Sequence, residues 1–95
     1  MISKNGKGEL KSEWLVYILK CSDGSYYTGI TNDLARRLEA HTAGTASKYT
    51  RPRLPVTIVH LERLRTKSQA LRRELEIKKL PREQKTLLLK TLKQK

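Results

Sequence analysis

The sequence predicts an α/β (α+β) domain: a three-stranded antiparallel sheet flanked by helices, in the order β-β-α-β-α-α. Three observations lead there. An apolar run at 14–21, the turn Ser22-Asp23-Gly24 and a second aromatic and β-branched run read as a hairpin. Apolar residues then recur at helical spacing over 34–41 and 68–80, each run preceded by capping residues. Between them, 56–61 alternates as a third strand. With 95 residues there is room for one core. Residues 14–95 are therefore expected to be a single domain, and the polar stretch 1–13 a mobile leader.

In the first strand every residue from Trp14 to Cys21 except Lys20 is apolar or aromatic. Trp14, Val16 and Ile18 point one way and Leu15, Tyr17, Leu19 and Cys21 the other, so both faces are covered and the strand is central. A two-residue turn at Asp23-Gly24 puts Tyr17 and Tyr27 on opposite faces. A three-residue turn, with Gly24 left-handed, pairs Leu19 with Tyr27 and puts both tyrosines on one face. The residues alone do not choose between them. Thr31 and Asn32 suit a helix cap, Asp33 a first turn, and Gly44 a stop. On that helix Leu34, Ala35 and Leu38 form the buried stripe, while Arg37 and His41 sit one turn apart along its edge. His60 is expected on the Val56/Ile58 face of the third strand, as a structural residue. Thr66 or Ser68 caps the next helix, and Pro81 opens a last one whose Leu87, Leu88, Leu89 and Leu92 pack while Lys85, Lys90, Lys93 and Lys95 stay wet. Trp14, Val16, Ile18, Leu34, Leu38, Leu71 and Leu75 are the expected core.

Lys and Arg number 21 against 9 Asp and Glu, a formal charge of +12. Residues 1–32 carry four Lys and three acids; the other 17 cations and six acids follow. Such a charge most often faces phosphate. The longest apolar run, Trp14 to Leu19, is far short of the ~20 residues of a membrane helix. The single cysteine excludes a disulfide scaffold and a cysteine-rich zinc site. No signal-peptide pattern appears, so a cytoplasmic protein is expected.

The helix at 68–80 carries the most informative residue. Glu74 lies inside the apolar stripe of Ala70, Leu71, Leu75, Ile77 and Leu80, whereas Glu76 faces away. A carboxylate at a core-facing position is costly unless paired, for instance with Arg37, or bound to a metal. Two tyrosines, an Arg–His pair and one inward carboxylate can thus converge on the sheet. One carboxylate among cations and phenols fits a hard divalent ion such as Mg²⁺ beside a phosphate. The loop residues Lys48, Tyr49, Thr50, Arg51 and Arg53 mix cation and aromatic, a composition suited to phosphate and base contacts.

The elements Leu15-Val16-Tyr17 and Tyr27-Thr28-Gly29, then Arg37, His41 and Glu74 in this order, resemble the GIY-YIG nuclease domain from residue 14 to about 80. Asp23 to Thr31 and Lys48-Tyr49-Thr50-Arg51 look like its small standalone bacterial members. Leu15 replaces the first glycine of the signature, and Ile30 replaces a lysine that some repair members carry. The resemblance implies hydrolysis of a phosphodiester with a single Mg²⁺ or Mn²⁺ held by Glu74, which serves as both catalytic and metal-binding residue. Arg37 would neutralise the phosphate, Tyr17 would act as base, and Tyr27 would relay its proton or orient the water, with the roles of the two tyrosines exchangeable. A free phenol, with a pKa near ~10, is ionised in only about one molecule in a thousand at neutral pH. Arg37 or His41 must therefore lower that value or take the proton. This pairing requires both tyrosines on one face, hence the three-residue turn.

The expected function is a structure-selective, metal-dependent endonuclease of DNA, related to repair or recombination. It would prefer DNA to RNA, need no small-molecule cofactor or membrane, and act as a monomer or weak dimer that nicks one strand. The alternatives are a non-catalytic binder of structured RNA or DNA that retains the nuclease fold, and a nuclease-like subunit targeted by a partner.

Overall fold

A computed structural model describes residues 13–93, with side chains placed as far as residue 89. Apart from Glu13, the leader expected at 1–13 lies outside the described residues, as do the side chains of Lys90, Leu92, Lys93 and Lys95. Strand β1 (Trp14–Lys20) and strand β2 (Tyr26–Thr31) form the expected hairpin. The Cys21 amide donates to the Ser25 carbonyl at 2.8 Å and the Gly24 amide to the Cys21 carbonyl at 2.9 Å. Gly24 takes φ +85°, a left-handed value that side chains resist. The turn is therefore the three-residue one, with Leu19 opposite Tyr27 and Tyr17 opposite Gly29. Tyr17 and Tyr27 share a face.

Strand β3 (Thr57–Leu64) runs three residues past the expected end and pairs with the other edge of β1, giving the order β2-β1-β3. The β1–β3 register shifts between Ile18 and Leu19, so that Ile58 lies opposite Leu19 but His60 opposite Ile18. His60 is thus on the opposite face from Ile58, a correction of the sequence reading. An extra residue in one strand breaks the two-residue alternation on which that reading relied.

Three helices follow: α1 (Leu34–Thr42), α2 (Lys67–Lys79) and α3 (Arg82–Lys93). Asp33, not Thr31 or Asn32, caps α1 by accepting from the Arg36 amide, while the Thr31 hydroxyl accepts from the Asp33 amide. Thr66 caps α2 through the Gln69 amide. The core on one sheet face joins Val16 and Ile18 to Ala70, Ile77 and Leu89, with Trp14, Tyr26, Ile30, Val59, Leu64 and Leu88 packed around them. Glu62 of β3 ties α2 to the sheet, taking both Nε and an Nη of Arg73 at 2.8 and 2.9 Å.

Four expected core residues, Leu34, Leu38, Leu71 and Leu75, are outside it. Leu71 is 42% and Leu75 57% exposed. The small Ala70 and the bulky Ile77 centre the buried stripe, and Leu71 and Leu75 fall about a third of a turn beyond it at 100° per residue. On α1, Leu34 and Leu38 are only half-buried, Ala35 is exposed, and His41 is fully buried instead. Truncating Ile77 to Ala should cost about 2–5 kcal/mol in urea unfolding. The same change at Leu75 should stay within about 0.5 kcal/mol. Equal losses at the two positions would contradict this packing.

Candidate active site

The face of the sheet that lacks the Ala70–Ile77 core carries Tyr17 and Tyr27. Tyr17 lies across Gly29 on the neighbouring strand. A Cβ at position 29 would meet the Tyr17 hydroxyl oxygen at 2.6 Å, so only glycine leaves room for the phenol there. α1 delivers His41 onto the same spot, and its Nε2 is 3.0 Å from the Tyr17 hydroxyl oxygen. The other ring nitrogen, Nδ1, is 3.0 Å from Thr50 Oγ1. Tyr17, His41 and Thr50 are all essentially removed from solvent, at 1%, 0% and 0% exposure. Tyr27 flanks them, its ring centroid 5.2 Å from that of His41 and 6.3 Å from that of Tyr17. The hydroxyl partner of Tyr17 is His41, one of the two groups the sequence offered to take its proton.

Burial pushes the Tyr17 phenol well above its ordinary value, and the nearby Tyr27 adds to this. Arg37 pulls the value down and Glu74 pushes it up. Cations therefore do not win at this phenol; an acceptor has to take its proton. Burial, and then the Arg37 charge, lower the pKa of His41, so the ring is held neutral and available.

Arg37 is exposed on α1, with its charge felt at both Tyr17 and His41. Glu74 comes from α2, and its side chain is only 16% exposed, as an inward position requires. Its Oε2 pairs with Lys78 Nζ at 3.1 Å, one turn along α2, so the ion-pair partner is Lys78 and not Arg37. Lys78 also lines a cleft of about 220 Å³ with Tyr26, Tyr27, Thr28, Tyr49 and Lys85. Among the described residues no group of three His, Cys, Asp or Glu forms a metal cage. This donor set fits a hard cation that keeps most of its waters and takes one carboxylate plus substrate oxygen, as Mg²⁺ does.

The expected polymer-binding loop divides in two. Lys48, Tyr49 and Arg51 are exposed. Tyr49 stacks on Tyr27 at 6.2 Å between centroids. Thr50 and Arg53 have structural partners instead. Thr50 is buried against His41, and Arg53 bonds to Asp23 at 3.1 Å and to the Tyr49 carbonyl at 2.7 Å while covering the Tyr49 ring. Arg53 thus clamps the loop to the β1–β2 turn. The roles of Thr50 and Ser47 escaped the sequence reading. The one available signal was a serine placed to cap a single helical turn, since the Ser47 hydroxyl accepts from the Tyr49 and Thr50 amides at 3.0 and 3.4 Å.

A three-stranded antiparallel sheet with paired tyrosines, a first-helix Arg–His pair and a second-helix glutamate is the arrangement expected of a phosphodiesterase domain. Residues 13–87 match the GIY-YIG catalytic domain, and the chain belongs to this family of nucleases, whose substrates are nucleic acids and whose members generally depend on a divalent metal. It is similar to the UPF0213 protein of Halobacterium salinarum, with 55% identity over 73 residues, covering 77% of this chain and 95% of the relative. A UPF0213 protein of Staphylococcus aureus is 52% identical over 75 residues, covering 79% and 92%. The solution structure of a protein from E. faecalis superposes with a TM-score of 0.63 at 42% identity, covering 90% and 91% of the two chains. That of the UPF0213 protein from Bacillus halodurans gives 0.56 at 43%, covering 83% and 84%. No helix among the described residues is long and apolar enough to cross a membrane.

Two outcomes follow from this geometry. Gly29→Ala should displace the Tyr17 ring and destabilise the fold by about 1–3 kcal/mol. It should also shift the His41 ring resonances, and unchanged resonances would contradict the close approach. Because folding lowers the His41 pKa, the unfolded chain binds that proton more readily. Stability is then complete above the ordinary imidazole value near ~6.5 and falls as pH drops through the folded value. The loss in melting temperature between about pH 7.5 and about pH 5.5 should be smaller in His41→Gln than in the parent.

Proposed function

We propose that this domain is a divalent-metal-dependent endonuclease that nicks DNA, choosing its site by structure more than by base sequence. The observation that carries the reading is the buried Tyr17–His41 hydrogen bond lying within the fields of both Arg37 and Glu74. In the proposed step substrate binding must first uncover the Tyr17 oxygen, which is shielded in the free domain. A water then attacks phosphorus and gives its proton to that oxygen, while Tyr17 gives its own proton to His41 Nε2. A P–O bond breaks and its electron pair leaves on the departing oxygen. Arg37 balances the charge that builds on the phosphate oxygens. Glu74 would hold the divalent cation, which supplies charge neutralisation at the phosphate and the leaving oxygen when bound. Lys78 must release the Glu74 oxygen it occupies, and the cleft it lines with Lys85 and Tyr49 offers two cations and an aromatic edge to the strand.

Preference for structure follows from the chemistry of these contacts, because cations and stacking read backbone and unpaired bases, not base-pair edges. The test is incubation of the full chain with branched, flapped, single-stranded and duplex DNA, and with RNA, in Mg²⁺, Mn²⁺ or chelator. Metal-dependent nicks are expected in a branched or flapped substrate. Glu74→Gln and Arg37→Ala should each lower the rate by about 10²–10³. Both should retain binding that weakens steeply with salt. Salt-sensitive binding without cleavage of any substrate would favour the non-catalytic module instead.

A further inference from the structure

We infer that Thr50 is a positioning residue that fixes the tautomer of His41, and so leaves Nε2 bare to receive the Tyr17 proton. This rests on the nuclease reading for its consequence, but the tautomer itself can be read without any reaction.

Hydrogen count constrains the tautomer. Tyr17 has one hydroxyl hydrogen and, among the described residues, one hydrogen-bond partner, His41 Nε2. With 1% of its surface exposed, Tyr17 has little access to solvent as an alternative. If Nε2 carried a hydrogen, the phenol would have to accept it, and its own O–H would point into the interior with no acceptor. Buried donors are rarely left so. Nε2 is therefore the acceptor, and a neutral ring must carry its hydrogen on Nδ1.

That hydrogen needs an acceptor in turn, and Thr50 Oγ1 lies 3.0 Å away. A threonine hydroxyl can donate or accept, so something must settle its direction. The Ser47 carbonyl does: it can only accept, and Thr50 Oγ1 donates to it at 3.4 Å. The hydroxyl hydrogen is then committed to Ser47 and a lone pair is left for Nδ1–H. The bonds run in one direction, from Tyr17 to His41 Nε2, from His41 Nδ1 to Thr50, and from Thr50 to Ser47.

The surrounding loop is built to keep Thr50 in place. The Ser47 carbonyl also accepts from the Arg51 amide at 3.1 Å, and the Thr50 carbonyl accepts from the Arg53 amide at 2.8 Å. Arg53 fastens this turn to Asp23 on the hairpin. A β-branched side chain has restricted χ1 freedom, which fixes where the hydroxyl points. Threonine thus serves here for geometry as well as for its oxygen.

The experiment is ¹⁵N NMR of the imidazole nitrogens of His41 in the full chain without metal or substrate, at a pH where the ring is neutral. The parent should show a protonated-type Nδ1 and an unprotonated-type Nε2. Thr50→Val, which keeps the shape and removes the acceptor, should lose this single tautomer; Thr50→Ser should restore it. In cleavage, Thr50→Val should lower the rate constant by about a hundredfold, the low end of what a general base contributes, with little change in KM. Thr50→Ser should cleave near the parent rate. A parent His41 with hydrogen on Nε2 overturns the proposal without need of any variant. An unchanged tautomer in a folded Thr50→Val also overturns it. If the tautomer behaves as described but no substrate is cut, the nuclease reading fails and the tautomer assignment stands. Should Thr50→Val fail to fold, the parent spectrum and the Thr50→Ser comparison decide.

Discussion

A phenol and an imidazole share one hydrogen bond in the interior of a small domain, and most of the architecture exists to make that bond. Each group alone would be costly to bury, and each satisfies the other at 3.0 Å. The three-residue turn sets the register that brings Tyr17 opposite Gly29. The missing side chain at Gly29 makes space for the ring. His41 falls in the last turn of α1, which ends at Thr42 shortly before Gly44 at φ +80°. The following loop then turns back to close off Nδ1 with Thr50.

Charge is distributed around this neutral pair and not within it. Arg37 and Glu74 act on Tyr17 in opposite senses, and burial outweighs both. The cations of the cleft, Lys78 and Lys85, come from α2 and α3 and line it together with Tyr27 and Tyr49. In the proposed reaction the high overall charge would gather a polyanion, while a buried neutral pair would serve the chemistry.

Much of this was legible in the sequence. The six-residue apolar run showed which strand is central, whereas the turn residues allowed two registers and only the resemblance, which needs both tyrosines on one face, favoured the observed one. The inward placement of Glu74 followed from its wheel position. What misled was averaging over apolar residues: Leu71 and Leu75 pull the computed stripe outward, although a small alanine lets α2 approach the sheet along a different line. The bulge in β3 left no mark in the alternation, so His60 was placed on the wrong face. Thr50 looked like a surface contact because a loop's internal hydrogen bonds depend on its backbone path, which composition does not specify.

In the proposed reaction the Tyr17 proton moves to His41 as water is deprotonated. A proton inventory under single-turnover conditions, with the cleavage rate followed across mixtures of H₂O and D₂O, tests it most directly. Two protons moving together give a downward-bowed dependence on deuterium fraction. A straight line in the wild-type protein, indicating one proton in flight, would contradict the relay.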